Sequence, residues 1–569
     1  MSNTFPPSGQ PEYLEQGGGT PLRPEPRERT SLRKPLIVGG AVLGLAALGG
    51  GVWAAMSFFA TGAQPAEVLP ASTIGYASVD LDPSGGQKVE AIEMMRKFPA
   101  FRQEIGLDTD DDIKKKIFSE ADLGDACDGL SYADDIEPWL GDRAAIAAVD
   151  TGEKMPVPIG VIQVKDSDAA RDGLAKLREC GGGDAQGGWT ITGEWAVIAE
   201  SQSIAKEIAD DAAQGSLADD ATYQRWTDEV GEAGVFNVYA APEAGKFLAT
   251  SLENFSFPFG PMIGSGSAYG SESEVQFDSQ GQPIEPGEMP EEFGTEGDFY
   301  AYEEETAEPV VPQEMLDALN EFKGMAATLR FSDGALELEV VGDARVVEQD
   351  FYTDAGDDAL STLPEDTVAA FGVGFEAGWF ARWFEQMGGF GSGESVDEMI
   401  AAAERETGMN LPEDAETLFG DSAVLSLGSD FDPEAFFSSE DGSDVPIGVK
   451  VKGDPAAIET VLDKVRAKIG PDEGGAVFGS SSDGDMAAIG PNANYRERIL
   501  ADGGLGDTDA FQNVVREAEK AGAIVFVNFD AGGDWVSNLA DGDEEAAENL
   551  KPLEGFGISV WEDGDTAHG

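Results

Sequence analysis

The chain carries the same sequence pattern twice, and this internal duplication limits its fold more than any other feature. The stretch VPIGVIQVKDSDAARDGLAKLR runs from Val157 to Arg178, and VPIGVKVKGDPAAIETVLDKVR runs from Val445 to Arg466. Aligned without a gap, ten of their 22 positions are identical. Each stretch reads as an apolar strand followed by an amphipathic helix. The fold must therefore accommodate two related units.

Three further blocks repeat in the same order along the chain. The pairs are Leu69–Val79 with Leu363–Val373, Asp135–Ala144 with Asp414–Ala423, and Leu217–Gly234 with Leu505–Gly522. The period is far longer than that of solenoid repeats, so each copy is expected to be a domain-sized unit. We place copy 1 at residues 66–345 and copy 2 at residues 360–569.

Short apolar strands and hairpin turns outnumber the helical stretches within each copy. Strands are predicted at Thr73–Val79, Ala144–Val149 and Val157–Val164, and a hairpin turn at Asp333-Gly334. Ser167 or Asp168 is the expected N-cap of the helix that follows the third strand. The predicted fold class is α+β: two tandem copies of a mainly antiparallel sheet with helices on one face, preceded by a single transmembrane helix.

The two copies differ at two places in the alignment. Copy 1 contains an acidic, Gly/Pro/Ser-rich insertion at residues 254–312, which is expected to be a flexible surface loop. Three phenylalanines near its start either contact a partner or fix the loop to the body; they are Phe255, Phe257 and Phe259. Copy 2 reaches Asp563-Gly564 and continues only as DTAHG, where copy 1 continues as ALELEVV. The alignment thus predicts that copy 2 lacks its last strand and leaves an open sheet edge, unless the sequence is clipped or the short tail is without consequence.

The segment from Leu36 to Ala60 predicts a membrane-spanning helix. It holds 25 residues without a charge, which is enough to cross the hydrocarbon core of a bilayer. Five basic residues precede it, and the next basic residue after it is Lys88. This asymmetry places the N-terminus in the cytoplasm and the bulk of the chain outside the plasma membrane. A cleaved leader ending at Ala63 is the alternative.

Two smaller features accompany this segment. Small residues at Gly40, Gly44, Ala47 and Gly51 form one helix face that could support a helix-mediated homodimer, although a Gly/Ala-rich helix in lipid is the favoured explanation. Residues 1–35 are rich in Pro, Gly and mixed charge, and they read as a disordered cytoplasmic tail.

Charge and cysteine content restrict the partners and the compartment. The formal net charge is −73, which disfavours nucleic acid and anionic lipid as partners. The two cysteines, Cys127 and Cys180, both lie on the predicted outer side, where a disulfide between them is expected.

No catalytic constellation is recognisable in the sequence. The single histidine is His568, so a Ser-His-Asp or Cys-His arrangement in the folded body is not expected. Asp134, Asp135 and Glu137 form the most tempting acidic group. Two of these acids recur in copy 2, at Asp414 and Glu416, and such recurrence is more typical of a structural turn than of one active site.

Metal and cofactor sites are likewise not predicted. The loop from Asp430 to Asp441 places Asp430, Asp432 and Glu434 at the first, third and fifth positions of a calcium loop. Ala435 stands where the sharp turn requires glycine, and Asp441 stands where the loop requires glutamate. We therefore expect no cofactor, and at most weak calcium binding.

The phrases SFFATGAQPAEVLPASTIGYASVDLDPSGGQKVEAI and YADDIEPWLGDRAAIAAVD resemble the actinobacterial membrane-anchored proteins catalogued as domain of unknown function thirty-three fifty-two. The resemblance extends from the membrane segment over nearly all of the chain. It implies an uncharacterised envelope protein and supplies no catalytic residues.

These observations favour a non-enzymatic envelope protein that binds an unknown protein or ligand in a groove between the copies, or supports the envelope. One alternative is a hydrolase that acts on wall polysaccharide through carboxylates; it predicts a deep pocket with two convergent acids in one copy. A binding module predicts a broad groove or a sheet edge. A calcium-dependent module is the third reading.

Overall fold

The computed structural model describes residues 63–81, 85–99, 114–115, 130–180, 187–254, 313–332, 334–344, 352–388, 396–431, 439, 442–470, 477–532 and 543–569. These residues form one antiparallel sheet of sixteen strands, with helices packed on it. The α+β class with a large antiparallel sheet is thus confirmed. The two copies do not form separate sheets, because their strands join into a single one.

Each copy contributes eight strands. Those of copy 1 are β1 (Thr73–Asp80), β2 (Leu140–Val149), β3 (Val157–Val164), β4 (Gly188–Thr192), β5 (Trp195–Ala199), β6 (Phe236–Ala240), β7 (Met325–Ser332) and β8 (Ala335–Asp343). Those of copy 2 are β9 (Ala369–Gly374), β10 (Ser422–Leu427), β11 (Ile447–Lys452), β12 (Ser480–Asp483), β13 (Met486–Ile489), β14 (Ala521–Asn528), β15 (Gly555–Asp563) and β16 (Thr566–His568).

Helices connect the strands in both copies. Those of copy 1 are α1 (Gly85–Lys97), α2 (Ser167–Cys180), α3 (Gln202–Ala212), α4 (Ala221–Glu229), α5 (Pro242–Asn254) and α6 (Gln313–Glu321). Those of copy 2 are α7 (Trp379–Gly388), α8 (Val396–Thr407), α9 (Glu413–Phe419), α10 (Pro455–Ile469), α11 (Ala493–Leu500), α12 (Asp509–Gln512) and α13 (Glu544–Leu550). Among the described residues, no helix is both long and apolar enough to cross a membrane. The predicted span, residues 36–60, lies outside them.

The strand order is the same in the two copies. Copy 1 runs β4-β5-β3-β2-β1-β6-β7-β8 from its outer edge to the centre, and copy 2 runs β12-β13-β11-β10-β9-β14-β15-β16. The copies meet where β16 pairs antiparallel with β8, with His568 opposite Val341 and Thr566 opposite Asp343. The sequence duplication therefore reappears strand for strand, and the two halves are arranged about the β8–β16 pair.

The last strand of copy 2 is present, contrary to the prediction from the alignment. The turn at Gly564 leads into β16, which pairs with β15 on one side and with β8 on the other. The strand is short, however, with three residues against nine in β8. His568 consequently lies within the sheet at 9% exposure, stacked on Trp561 with ring centroids 5.0 Å apart.

Helices cover both faces of the sheet, so the prediction of helices on one face is wrong. In copy 1, Ala205 and Ile208 of α3 join the core on one face, while Ala170 and Leu174 of α2 join a second core on the other. In copy 2, α11 and α10 divide the faces in the same way. The physical reason is visible in β5, whose five residues are all buried, as expected for a strand enclosed on two sides.

The cap of α2 also differs from the prediction. Oδ1 of Asp166 accepts hydrogen bonds from the backbone N–H groups of Asp168 and Ala169, at 2.9 and 3.0 Å. Asp454 makes the equivalent pair of bonds at the start of α10. The N-cap is therefore the aspartate one residue before the two positions predicted, and it is the same in both copies.

Candidate binding surface

One face of the central strands carries apolar side chains and glycine, except for Glu562 near the end of β15; we call the apolar part of this face the uncharged face. Strand pairing sets the register, and side chains alternate between faces along each strand. In copy 1 the face consists of Gly75, Ala77, Val79, Ala144, Ile146, Ala148, Phe236, Val238, Ala240, Met325, Ala327, Leu329, Phe331, Leu336, Leu338, Val340 and Gly342. In copy 2, in the same register, it consists of Ala369, Phe371, Val373, Ala423, Leu425, Leu427, Ile447, Val449, Val451, Ala523, Val525, Val527, Phe556, Ile558 and Val560.

The opposite face of the same strands is mixed in character. It carries the buried ion pair between Arg143 Nε and Asp80 Oδ2, at 2.6 Å, and the buried lysine Lys450. Asn237 and Thr328 hydrogen-bond to each other on this face at 2.9 Å. Apart from Glu562, the charged and polar groups of these strands thus lie on the face on which α3 and α11 pack. The uncharged face has nothing that would favour contact with water.

Much of the uncharged face is nonetheless open to solvent. Helix α2 covers its outer end in copy 1, and helix α10 covers its outer end in copy 2. Between them, large side chains are 37% to 60% exposed: Phe236, Leu336, Leu338, Phe371, Leu425, Phe556 and Ile558. Together they expose on the order of 500 Å² of apolar surface, which is the scale that marks an interaction site. These exposed side chains lie between α2 and α10 on both sides of the junction of the copies, whereas Phe331 of β7, on the same face, is buried.

The mixed face of the junction holds a network of charged groups. Nη2 of Arg330 donates to the carboxylates of Glu337 and Glu339, and its Nη1 donates to the carbonyl oxygen of Val230 at 2.9 Å. Nδ1 of His568 lies 3.7 Å from Oε1 of Glu339. Burial acts to raise the pKa of Glu339, but His568 and Arg330 outweigh it and hold that pKa below its ordinary value. Arg516 of copy 2 reaches Glu337 at 3.5 Å, which ties the copies together on this face.

A second concave region, the acidic pocket, lies at the edge of copy 2. It is an open cavity of about 560 Å³, with Phe375 and Trp379 on one wall and acidic side chains on the rim. Those acids are Glu376, Glu413, Glu416, Asp421, Asp454 and Asp485. Most of them face solvent, and Asp454 already caps α10. The pocket therefore presents an acidic rim and not the enclosed pair of acids that the hydrolase reading predicts.

The acidic group around Asp135 has a structural role in both copies. In copy 1, Asp135 accepts the backbone N–H of Ser131 at 2.8 Å and pairs with Lys176 of α2. In copy 2, Asp414 accepts the backbone N–H of Asn410 and pairs with Lys464 of α10 at 2.6 Å. Hydrogen bonding from Lys176 and from Ser131 holds the pKa of Asp135 below its usual value. Each aspartate thus joins a turn to the helix on the uncharged face.

The remaining candidate residues are placed only in part. Asp430 lies 3.4 Å from Arg498, while Asp432 and Glu434 lie outside the described residues. Within the described part of the chain, no three His, Cys, Asp or Glu side chains are grouped as metal ligands. Cys180 ends α2 and is disulfide-bonded, and Cys127 lies outside the described residues. The same holds for Gly40, Gly44, Ala47, Gly51, Phe255, Phe257 and Phe259, so the predictions for them stay predictions.

The uncharged face itself was missed by the sequence reading, although a signal for it exists. In β8 the sequence ALELEVV alternates glutamates with Leu336, Leu338 and Val340. Alternation of this kind predicts one apolar face in each strand. It does not tell which strands are neighbours, and so it does not show that ten of these faces join into one surface.

A known family matches the first part of the chain. Residues 37–256 match the model of the family described as "Protein of unknown function (DUF3352)". The resemblance drawn from the sequence is therefore shown for these residues, which run from the predicted membrane segment to the end of α5, and copy 2 lies outside the match. Searches of the curated proteins and of the solved structures find no match.

Proposed function

We propose that this chain is a non-enzymatic binding protein of the cell envelope, held at the outer side of the plasma membrane by residues 36–60. Its binding surface is the uncharged face between α2 and α10. The observation that carries the proposal is the exposure of large apolar side chains on one face of ten strands, where Glu562 near the end of β15 is the charged side chain in the same register. Such a surface is costly to leave in water, so a partner that covers it stabilises the complex.

Charge further defines the partner. The chain has a net charge of −73, so acidic macromolecules are repelled wherever they approach it. The uncharged face is the part of the described surface where contact costs no desolvation of ions. A polypeptide with an exposed apolar segment meets these conditions.

Photo-crosslinking in native membranes tests the proposal. A photoreactive amino acid is placed at Phe371 or Leu425, which are 48% and 47% exposed on the uncharged face. The matched control is Leu248 on α5, which is 45% exposed but lies away from that face. We expect a polypeptide adduct at the first two positions and none at the control. Equal adducts at all three positions, or adducts to lipid alone, would contradict the proposal.

The membrane topology is tested separately. A thiol reagent that cannot cross membranes is applied to intact cells that carry either Ser8→Cys or Leu248→Cys. The proposal expects labelling at position 248 and none at position 8 until the membrane is disrupted. The reverse pattern would place the bulk of the chain in the cytoplasm and exclude an envelope role.

A further inference from the structure

The acidic pocket of copy 2 lies at a place that copy 1 fills with its own lysines. Asp421 of the pocket aligns with Asp142 of copy 1, and each of them follows a glycine. The carbonyl oxygen of Asp142 accepts the backbone N–H of Leu81 at 2.6 Å. In the same way, the carbonyl oxygen of Asp421 accepts the backbone N–H of Phe375 at 2.9 Å. The two aspartates therefore occupy equivalent positions in the two halves of the sheet.

In copy 1 two ammonium groups meet this aspartate. Nζ of the buried Lys114 donates to Oδ1 of Asp142, and Nζ of Lys165 lies 3.5 Å from the same oxygen. The carboxylate is thus compensated by amines of its own chain, which favour its charged form. Copy 1 thereby shows which group this position binds: a primary ammonium.

Copy 2 supplies neither of these lysines. Gly453 aligns with Lys165, and the segment between β9 and β10 contains no lysine that could replace Lys114. Lys452 lines the pocket, but its Nζ binds Oδ2 of Asp358 at 2.5 Å. In the part of the chain that the structure describes, no lysine or arginine forms an ion pair with Asp421. Further carboxylates line the same cavity: Glu376, Glu413, Glu416 and Asp485.

Aromatic rings form the wall of the pocket beside these acids. The rings of Phe375 and Trp379 lie 4.6 Å apart, and Phe419 meets Trp379 edge to face at 5.7 Å. Aromatic faces attract cations, and tryptophan does so most strongly. Nε1 of Trp379 is buried and has no hydrogen-bond partner among the described residues, a cost that a ligand oxygen beside it would remove. The wall therefore suits a ligand that carries both an ammonium group and a carbonyl oxygen.

The pocket borders the uncharged face. Phe371 and Val373 of β9 belong to that face, and Phe375 continues their alternation to the point where it packs against the core under α10. Phe371 and Phe375 are four residues apart in extended chain, so about 13 Å separates them. A short extended segment that contacts Phe371 thus reaches the pocket with its next few residues.

We propose that the acidic pocket binds a lysine side chain of the partner polypeptide that covers the uncharged face. This inference rests on the proposed function and deepens it by giving the partner a lysine next to its apolar segment. The ammonium group meets Asp421, as Lys114 meets Asp142 in copy 1. The methylene groups of the lysine lie along the rings of Phe375 and Trp379. The net charge of −73 attracts such a segment, and the pocket fixes where its lysine docks.

Two other occupants fit the pocket less well. A metal ion needs several carboxylates that converge on one point, and no three acidic side chains are grouped in that way within the described ranges. A neutral carbohydrate can stack on the aromatic wall, but it brings no positive charge to a position that copy 1 fills with ammonium groups. A lysine residue satisfies both the acidic rim and the wall.

Peptide binding to the full chain in lipid nanodiscs tests the inference. The probe is a fluorescent peptide that contains Val-Ser-Val-Ser-Lys, in which the lysine and the first valine have the same spacing as Phe375 and Phe371. In the control peptide the lysine is acetylated on Nε, which removes its charge and keeps its length. At physiological ionic strength we expect saturable binding of the probe by fluorescence anisotropy. The Kd of the control should be about tenfold weaker, because the ammonium group is lost.

Variants of the chain compare the pocket with its counterpart in copy 1. Asp421→Asn should weaken binding of the probe about fivefold, the size expected of one partly screened charge pair. Asp168→Asn removes the same charge from a 97% exposed site on α2 and should leave binding unchanged. Gly453→Lys gives copy 2 the lysine of copy 1, which should occupy the pocket and weaken binding about tenfold.

Space at position 453 allows this last variant. A Cβ on Gly453 lies 3.3 Å from Cα of Gly420, so a small shift accommodates it. Thermal unfolding by circular dichroism checks that all three variants are folded. Asp421→Asn tests the pocket independently of Gly453→Lys.

The inference is overturned if Asp421→Asn and Asp168→Asn weaken binding equally, because the net charge alone would then attract the peptide. It is also overturned if calcium displaces the probe and magnesium at equal concentration does not, because the pocket would then be a metal site.

Crosslinking separates this inference from the proposed function. If crosslinks at Phe371 form and neither Asp421→Asn nor Gly453→Lys lowers their yield, the partner does not use the pocket. The inference is then overturned, and the proposed function stands. If no polypeptide crosslinks form at Phe371 while the probe still binds in a manner that depends on Asp421, the proposed function fails and the lysine site stands.

Discussion

Copy 1 and copy 2 are far more alike in the hydrogen bonds to their backbones than in the side chains of their cores. Thr73 and Thr367 each donate a hydroxyl hydrogen bond of 2.7 Å to the carbonyl oxygen of a proline three residues earlier. Gln224 and Gln512 each hold the carbonyl oxygen six residues before them, at 2.9 and 3.1 Å. The comparison shows that turns and caps fix where the strands run. The core side chains between them are free to differ.

The interiors differ at several places. Copy 1 packs Tyr76, Tyr223 and Tyr239 together, with centroid distances of 5.9 and 5.0 Å to Tyr223, whereas copy 2 uses Phe511 and Phe526 in the corresponding place. Copy 2 buries Lys450, which pairs with Val424 of β10. At the equivalent place in copy 1, Val161 pairs with Ala145 of β2. Lys114 pairs with Asp142 in copy 1, while Asp421, which follows the equivalent glycine, lines the acidic pocket in copy 2.

The largest expected difference between the copies concerns Trp226. It is fully buried in copy 1, and its Nε1 donates to the carbonyl oxygen of Lys323 at 3.0 Å; Val514 takes the aligned position in copy 2. Trp226→Ala should lower the free energy of unfolding by about 3 to 5 kcal/mol, because it opens a large cavity. Val514→Ala should cost only about 1 kcal/mol. Denaturant titration of both variants measures the difference, and equal losses would mean that the two positions are energetically equivalent.

The next effect concerns the buried lysine. Nζ of Lys450 donates to Oγ1 of Thr362 at 2.6 Å, and burial lowers its pKa to about 8. In the unfolded chain the pKa of this lysine is about 10.4. Below pH 8 the buried amine is charged, and the folded state bears the full cost of burying that charge. The free energy of unfolding therefore rises with pH between the folded and the unfolded pKa. Lys450→Met, which makes copy 2 resemble copy 1, should raise the free energy of unfolding by about 1 to 3 kcal/mol at pH 7.

A matched swap sharpens this comparison. Val161→Lys should destabilise copy 1, since it places the same charge among buried apolar side chains. Unfolding of the wild type and both variants is followed from pH 7 to 10. If Lys450→Met leaves both the stability and its rise with pH unchanged, the amine of Lys450 is solvated in the folded protein and the assigned cause is wrong.

A smaller effect is expected at the aspartates that both copies use in the same way. Burial acts to raise the pKa of Asp414, but hydrogen bonds from Lys464 and from the backbone of Asn410 outweigh it and lower that pKa. The stabilisation is therefore present at neutral pH, above the unfolded pKa, and is lost as the pH falls through the lowered folded value. Asp414→Asn should cost about 1 kcal/mol at pH 7 and nothing at a pH below the folded value.

The counterpart in copy 1 provides the control. Asp135→Asn should destabilise in the same direction and with the same pH dependence, because its partners are equivalent. A loss in one copy only would show that the repeated ion pair has different roles in the two halves. Thermal unfolding across acid pH distinguishes these outcomes.

The smallest effect is expected from Tyr223→Phe, which gives copy 1 the residue of copy 2. Burial raises the pKa of Tyr223 to about 12, and its ring remains packed when the hydroxyl is removed. The free energy of unfolding should change by no more than about 1 kcal/mol. In an absorbance titration, the variant should lose one phenolate transition at high pH. Loss of a transition near pH 10 instead would mean that Tyr223 is exposed.

Local features of the sequence predict this fold well, and distant pairings do not follow from it. The repeats, the hairpin before Trp195 and the turn before β8 follow from residues close together in the chain. Helix placement on both faces was missed, although the continuous apolar run of β5 indicates burial on two sides. The pairing of His568 with Val341 joins residues more than two hundred positions apart, and no local pattern specifies it.

The candidate surface depends on these distant pairings for the same reason. Leu338 and Ile558 read as ordinary half-buried strand residues in their own segments. Only the pairing of β16 with both β8 and β15 brings them into the same region of one sheet. The alignment predicted that this last strand is missing, and the structure shows that it is present.

The position of β16 has a consequence for biosynthesis. Copy 1 can fold while copy 2 is still being translated, but its central edge at β8 stays uncovered until the ribosome has made Thr566–His568. During that interval the nascent protein displays a bare strand that could pair with the wrong neighbour. Glu337, Glu339 and the nearby Arg330 give this strand charges that discourage stacking against copies of itself. These charges would therefore protect the chain during synthesis.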